Sequence, residues 1–213
     1  MKITKIAHCC LLIETGGLRV LTDPGSYSTA QNSLVDLDVV LITHEHADHL
    51  HTESVREILK NNPTAKIFTN TGVGKQLTEA GLPYSVLEGR ETVTVKGILF
   101  EAFDCKHEEI FEEFGQVQNT GYFLANKLFY PGDSFFNPEK PVEVLALPVA
   151  GPWCKIGDAL RYALRVKPKA AFPVHDGTLI KERTGFMGSI VKKILGERGI
   201  NFTPLGEGET AEF

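Results

Sequence analysis

Residues 37–51 read LDVVLITHEHADHLH. The first half, LDVVLIT (37–43), is a continuous apolar run with β-branched residues, the pattern of a strand buried on both faces. The second half holds four of the seven histidines of the chain. It therefore sits at the carboxyl end of a buried strand, where ligand crevices open in α/β sheets. In extended chain His44 and His46 point to the same side, because side chains alternate with period two. Asp48 and His49 fall at the turn into the next element, where a bend aims a second pair of donors at a point close to the first. Imidazole nitrogen and carboxylate oxygen suit divalent zinc, iron or manganese. The bland alternative is a histidine-rich loop in solvent, which does not require His-x-His-x-Asp-His spacing. His51 lies outside that spacing and is expected at the surface.

Working outward, TESVREILKN (52–61) predicts a helix, with Thr52 able to cap it and Val55, Ile58 and Leu59 on one stripe. Upstream, HCCLLIET (8–15) and LRVLTD (18–23) flank Gly16-Gly17, a two-residue hairpin signal. Downstream come strands at 66–70, 84–88, 92–95, 98–105, 121–126, 127–132, 142–149 and 169–175. Helices are expected over 72–81, 158–166 and 186–199. Hairpins mixed with outer helices, in two successive halves, point to a layered α/β sandwich. No glycine-rich phosphate loop follows the first strand, which argues against a dinucleotide fold.

The chain has 213 residues, a length for a single domain over 1–213. It holds 22 Lys+Arg against 27 Asp+Glu, a net charge of −5, so no basic excess suggests nucleic acid or an anionic membrane. Four cysteines are too few for a disulfide scaffold. Cys9, Cys10 and Cys154 carry no metal spacing and read as core or loop residues; Cys105 shares a face with His107 and reads as a buried inert thiol, with a thiolate ligand as the alternative. The short apolar run after Met1, broken by His8 and Glu14, predicts neither a signal peptide nor a membrane span, hence a cytoplasmic protein.

Three more candidate donors close strands in the same sense as the histidine cluster: His107 after 98–105, Asp133 after 127–131 and His175 after 169–174. With them the sequence resembles the metallo-β-lactamase superfamily. His8, Asp23-Pro24 and Pro173-Val174-His175 make it most similar to the small metal-dependent hydrolases near the ascorbate-phosphate lactonases. The resemblance spans about His8 to His175 and implies a four-layer αβ/βα sandwich. It implies two divalent ions, zinc first, with manganese or iron as alternatives. His44, His46 and His107 would hold one ion, Asp48, His49 and His175 the other, and Asp133 would bridge them. Asp23 matches an early aspartate that orients ligands by hydrogen bonds. His8 matches a position near the site whose role the resemblance leaves open.

The expected chemistry is attack by a metal-held hydroxide on an ester, lactone or phosphoester bond of a small cytoplasmic molecule, with Asp48 and Asp133 as the catalytic carboxylates. Alternatives are a metal-dependent phosphodiesterase or nuclease and a non-catalytic metal-binding protein. Loops 107–119 and 150–157 follow site-bearing strands. Phe111, Phe114 and Trp153 are therefore candidate pocket walls, and Lys155 a candidate partner for a carboxylate or phosphate. The acidic run at Glu108, Glu109, Glu112 and Glu113 disfavours a polyanionic substrate at that lip. A small-molecule substrate is the expected partner, and assembly into a homo-oligomer stays open.

Overall fold

The computed structural model describes residues 1–180 and 184–213. Two mixed seven-stranded sheets carry the fold, in the orders β14-β1-β2-β3-β4-β5-β6 and β13-β12-β11-β10-β9-β8-β7. The first contains β1 (Lys2–Ala7), β2 (Cys10–Thr15), β3 (Leu18–Thr22), β4 (Val39–Ile42), β5 (Lys66–Thr69), β6 (Ser85–Val86) and β14 (Thr210–Glu212). The second contains β7 (Thr92–Val95), β8 (Ile98–Lys106), β9 (Gln118–Leu124), β10 (Leu128–Tyr130), β11 (Val144–Pro148), β12 (Ala170–Val174) and β13 (Asn201–Phe202). The helices are α1 (Thr52–Asn61), α2 (Thr71–Glu79), α3 (Ile156–Val166) and α4 (Thr184–Gly196).

Strand alternation sorts the apolar residues into layers. Val39 and Leu41 of β4 meet Phe100, Tyr122 and Val144 in a core between the sheets. Val40 and Ile42, on the opposite face, pack with Val55 and Ile58 of α1 and Val73 and Leu77 of α2. In the second sheet Leu145 and Leu147 of β11 turn outward to Ala159, Tyr162 and Ala163 of α3 and Val191 and Leu195 of α4. Helix, sheet, sheet, helix is the expected four-layer αβ/βα sandwich. The β2–β3 hairpin turns at Gly16 and Gly17, with φ of +55° and +77°, the pair of positive values that a tight hairpin needs.

Three strands are additional to those read from the sequence. β13 and β14 are too short to show a period. β1 hides because its inward positions are Ile3, Lys5 and Ala7. A lysine thus occupies a core-facing site, its amine donating to the Pro173 carbonyl and paired with Asp176. The cap of α1 is His51, not Thr52, which is the first helical residue. No helix among the described residues is long and apolar enough to cross a membrane.

Candidate metal centre

β3 and β4 run parallel, as do β10, β11 and β12. Their carboxyl ends, with that of β8, meet along one edge of the sandwich. Asp23 follows β3, Thr43–His51 follows β4, His107 follows β8, Asp133 follows β10 and His175 follows β12. The β1–β2 turn lies beside the end of β3 and adds His8 and Cys9. His8, Asp23 and His175 have φ of +47°, +38° and +60°, strained values for residues with side chains and a common mark of a working site. The turn after Asp23 lies directly on the histidine loop. A Cβ on Gly25 would stand 1.9 Å from the Asp48 carbonyl oxygen, so only glycine fits there.

Hydrogen bonds fix which nitrogen of each imidazole is free. Asp23 is fully buried and accepts from the Thr43 N–H and hydroxyl, both at 2.8 Å, and from the Tyr130 hydroxyl at 2.5 Å. His49 Nδ1 lies 2.6 Å from the same carboxylate and donates to it. The Thr43 hydroxyl has given its hydrogen to Asp23, so His44 Nδ1, 3.0 Å away, donates to Thr43. His107 Nδ1 donates to the Glu108 carbonyl at 2.6 Å and His175 Nδ1 to that of Ala150 at 2.7 Å. In all four rings Nε2 is the nitrogen left to face the cluster, the arrangement that outer hydrogen bonds impose on metal-binding histidines.

These Nε2 atoms converge. Asp133 Oδ2 lies 2.8 Å from His175 Nε2, 3.2 Å from His107 Nε2 and 3.8 Å from His44 Nε2, and Asp133 Oδ1 lies 3.2 Å from His49 Nε2. Asp48 Oδ2 is 3.5 Å from His175 Nε2 and 3.8 Å from His49 Nε2. One ligand atom each of His44, His46 and His107 fits within a 4.8 Å span, and so does one each of His44, His49 and Asp133. His44 Nε2, His49 Nε2, His175 Nε2 and Asp133 Oδ1 are nevertheless buried with no hydrogen-bond partner. Buried polar atoms are rarely left so. Four of them facing one another fit a divalent cation.

Charge follows the same logic. Burial pushes His44 and His46 down, and neighbouring imidazoles push them further. Burial would raise Asp133, but His175, His49 and His44 hold it well below the usual carboxylate range. Asp48 is likewise held low against burial, by the His175 imidazole beside it and the hydrogen bond from His8.

The structure thus brings together His44, His46, Asp48, His49, His107, Asp133 and His175. Asp23 stands behind them as the orienting carboxylate. His8 Nδ1 accepts from the Gly177 N–H at 3.0 Å, so its Nε2 carries the proton and faces Asp48 Oδ2 at 3.2 Å. Trp153 is 8% exposed and donates Nε1–H to Asp133 Oδ2 at 3.2 Å. Phe111 and Phe114 stand out in solvent, 68% and 72% exposed, and neither lines the cavity over the cluster. Lys155 is also exposed and outside that cavity, at the cap of α3. His51 binds Ser54 at the start of α1, away from the cluster. Cys105 is hydrogen-bonded to Ser134 and Asn119. Sequence reasoning missed Tyr130, Thr43 and Gly177, whose contacts with Asp23 and His8 come from positions distant in the chain.

A family profile described as Beta-lactamase superfamily domain matches residues 2–175. The chain belongs to that superfamily. It is 32% identical over 190 residues to Protein Rv0786c of Mycobacterium tuberculosis, across 87% of this chain and 88% of that one. It is 26% identical over 234 residues to a UPF0173 metal-dependent hydrolase of Polynucleobacter asymbioticus, covering 93% and 77% of the two chains. Among solved structures, Igni18, a metallo hydrolase of Ignicoccus hospitalis, superposes with a TM-score of 0.76 at 20% identity, over 100% of this chain and 98% of that one.

Proposed function

We propose that the protein is a metal-dependent hydrolase that cleaves an ester, lactone or phosphoester bond of a small cytoplasmic molecule. The observation that carries this is the set of buried, unpartnered atoms, His44 Nε2, His49 Nε2, His175 Nε2 and Asp133 Oδ1, facing one another at a sheet edge. Membership of the superfamily and the metal-dependent hydrolases among the relatives support it. His44, His46 and His107 would hold one divalent ion, Asp48, His49 and His175 a second, with Asp133 between them. Zinc is the first choice for both, manganese and iron the alternatives. Such ions supply Lewis acidity and lower the pKa of water from 15.7 towards ~7.

The remaining work falls to side chains. Tyr27, Ile110, Pro152, Trp153 and Thr178 wall a cavity of about 260 Å³ over the cluster, sized for a small molecule rather than a polymer. Trp153 holds Asp133 by its indole N–H and shields it from solvent. His8 donates to Asp48 Oδ2 and fixes that carboxylate toward the cavity. Ionised and partly open, Asp48 faces the cavity, where it would orient the nucleophile or pass a proton to the leaving group.

Metal analysis joined to a hydrolase screen tests this. Turnover of a lactone, ester or phosphoester that is lost on chelation and restored by zinc, manganese or iron is the expected result. Full loading with no turnover of any of these overturns it in favour of a non-catalytic metal-binding protein. Cleavage confined to RNA or cyclic nucleotides moves it to the phosphodiesterase or nuclease class.

A further inference from the structure

We propose that Cys9 is a metal donor, its sulfur ligating the ion held by His49 and His175. The proposal rests on the metal-dependent function above and deepens it, because a thiolate changes which cation that position prefers. Cys9 sits in the turn between β1 and β2 and is 1% exposed. Its carbonyl accepts from the Thr22 hydroxyl at 2.8 Å. Its sulfur and one nitrogen each of His8, His49 and His175 fall within 4.8 Å of one another.

A second observation points to a ligand there. His49 Nε2 and His175 Nε2 are buried without hydrogen-bond partners, and their Nδ1 protons are committed to Asp23 and Ala150. Both rings therefore turn Nε2 to the cluster, and one nitrogen of each lies within 4.8 Å of the sulfur. His8 does not compete for the ion, since the Gly177 N–H occupies its Nδ1 and its Nε2–H faces Asp48.

The other cysteines show how a structural thiol sits in this fold. Cys10 packs among the leucines, isoleucines and valines between the first sheet and its helices. Cys154 lies against the carbonyls of Pro148 and Lys155, and Cys105 against Ser134 and Asn119. Of the four, only Cys9 belongs to a group of candidate metal donors among the described residues.

On binding, the S–H bond breaks, the proton leaves to solvent and the sulfur's electron pair goes to the cation. Thiolate favours zinc, cobalt and cadmium over manganese, which prefers oxygen donors. Cys9 would thus make the position of His49 and His175 the zinc-selective one of the pair.

Cobalt(II) added to reduced, metal-free protein provides the test. Visible ligand-field bands report that the cluster binds a metal at all, and a near-ultraviolet thiolate-to-cobalt band reports sulfur ligation. Both sets are expected in the unaltered chain, with the ultraviolet band lost in Cys9→Ser and kept in Cys10→Ala. Ligand-field bands without the ultraviolet band, in the unaltered protein, overturn the role of Cys9 and leave the metal centre standing. An ultraviolet band that survives Cys9→Ser also overturns it. Absence of any cobalt bands refutes the metal centre and this proposal with it.

Discussion

The Gly177 N–H points at His8 Nδ1, 3.0 Å away, and so decides where the His8 proton sits. A Cβ on Gly177 would come within 2.9 Å of that nitrogen, so glycine keeps the two backbones close enough for the bond. His8 then has one remaining task, to donate from Nε2 to Asp48. Its removal in His8→Ala frees Asp48 to swing. The expected result is a ~10–100-fold loss of affinity for the ion that Asp48 helps to hold. His8→Gln, which retains an N–H donor, restores part of it. Competitive titration with a chromophoric chelator separates the two ions, and equal weakening of both would rule out a role confined to Asp48.

Asp133 lies within 4 Å of four imidazoles, His44 and His49 from the early histidine loop and His107 and His175 from the late strand ends. Asp133→Asn keeps the shape but gives up the charge. If the unaltered protein loads two ions as proposed, metal content is expected to fall below two in the variant, with turnover lost in proportion or worse, measured by elemental analysis and kinetics on one preparation. Full dinuclear loading of the variant would remove Asp133 from between the ions.

Tyr130 links the core to the site, its hydroxyl donating to Asp23 and lying 3.1 Å from the Cys9 carbonyl. Tyr130→Phe preserves the fully buried ring and deletes that donor. A loss of about 1–3 kcal/mol of folding stability is expected, the usual range for a hydrogen bond to a charged acceptor. Denaturant unfolding of the metal-free protein measures it, and an unchanged midpoint would show the bond to be dispensable.

Proton release on metal binding has a definite sign. Burial pushes His49 and His175 down, but the Asp133 carboxylate more than reverses this, and both end well above the ordinary imidazole value. In the metal-free fold they hold protons through neutrality, and a cation must displace them. Affinity is therefore expected to rise with pH across the neutral range. Calorimetry in buffers of different ionisation enthalpy reads the protons released. Trp153, the single tryptophan, stands 5.3 Å from the His175 ring centre and 5.7 Å from that of His107, so its fluorescence follows the titration. Affinity independent of pH would contradict the protonated metal-free cluster.

How far the sequence carries depends on distance along the chain. His44, His46, Asp48 and His49 are legible because strand period and turn bring neighbours to one point. The layers are legible because Val39 to Ile42 alternate between two apolar faces. His107, Asp133 and His175 could be placed at strand ends, but their convergence depends on which strands lie side by side, and the resemblance supplied that. Lys5 conceals β1 because its charge is compensated by Asp176, some 170 positions away. Cys9 looks like core since its imidazole neighbours arrive from β4 and β12. Phe114 and Lys155 sit in the expected loops, yet a loop's place in the chain does not fix where its side chains point.

The donors divide between the sheets, His44, His46, Asp48 and His49 following a strand of one, and His107, Asp133 and His175 following strands of the other. A cation bound among them would therefore clamp the two halves of the sandwich at the rim, beside the backbone bonds from Thr120 to Thr43 and from His175 to His8. Anything that binds the folded chain alone adds RT ln(1 + [L]/Kd) to its stability, about 2.7 kcal/mol at a hundredfold excess over Kd. The melting temperature of this protein would then track the free metal of its surroundings, and scarcity of metal would loosen the fold at the same edge where it silences the chemistry.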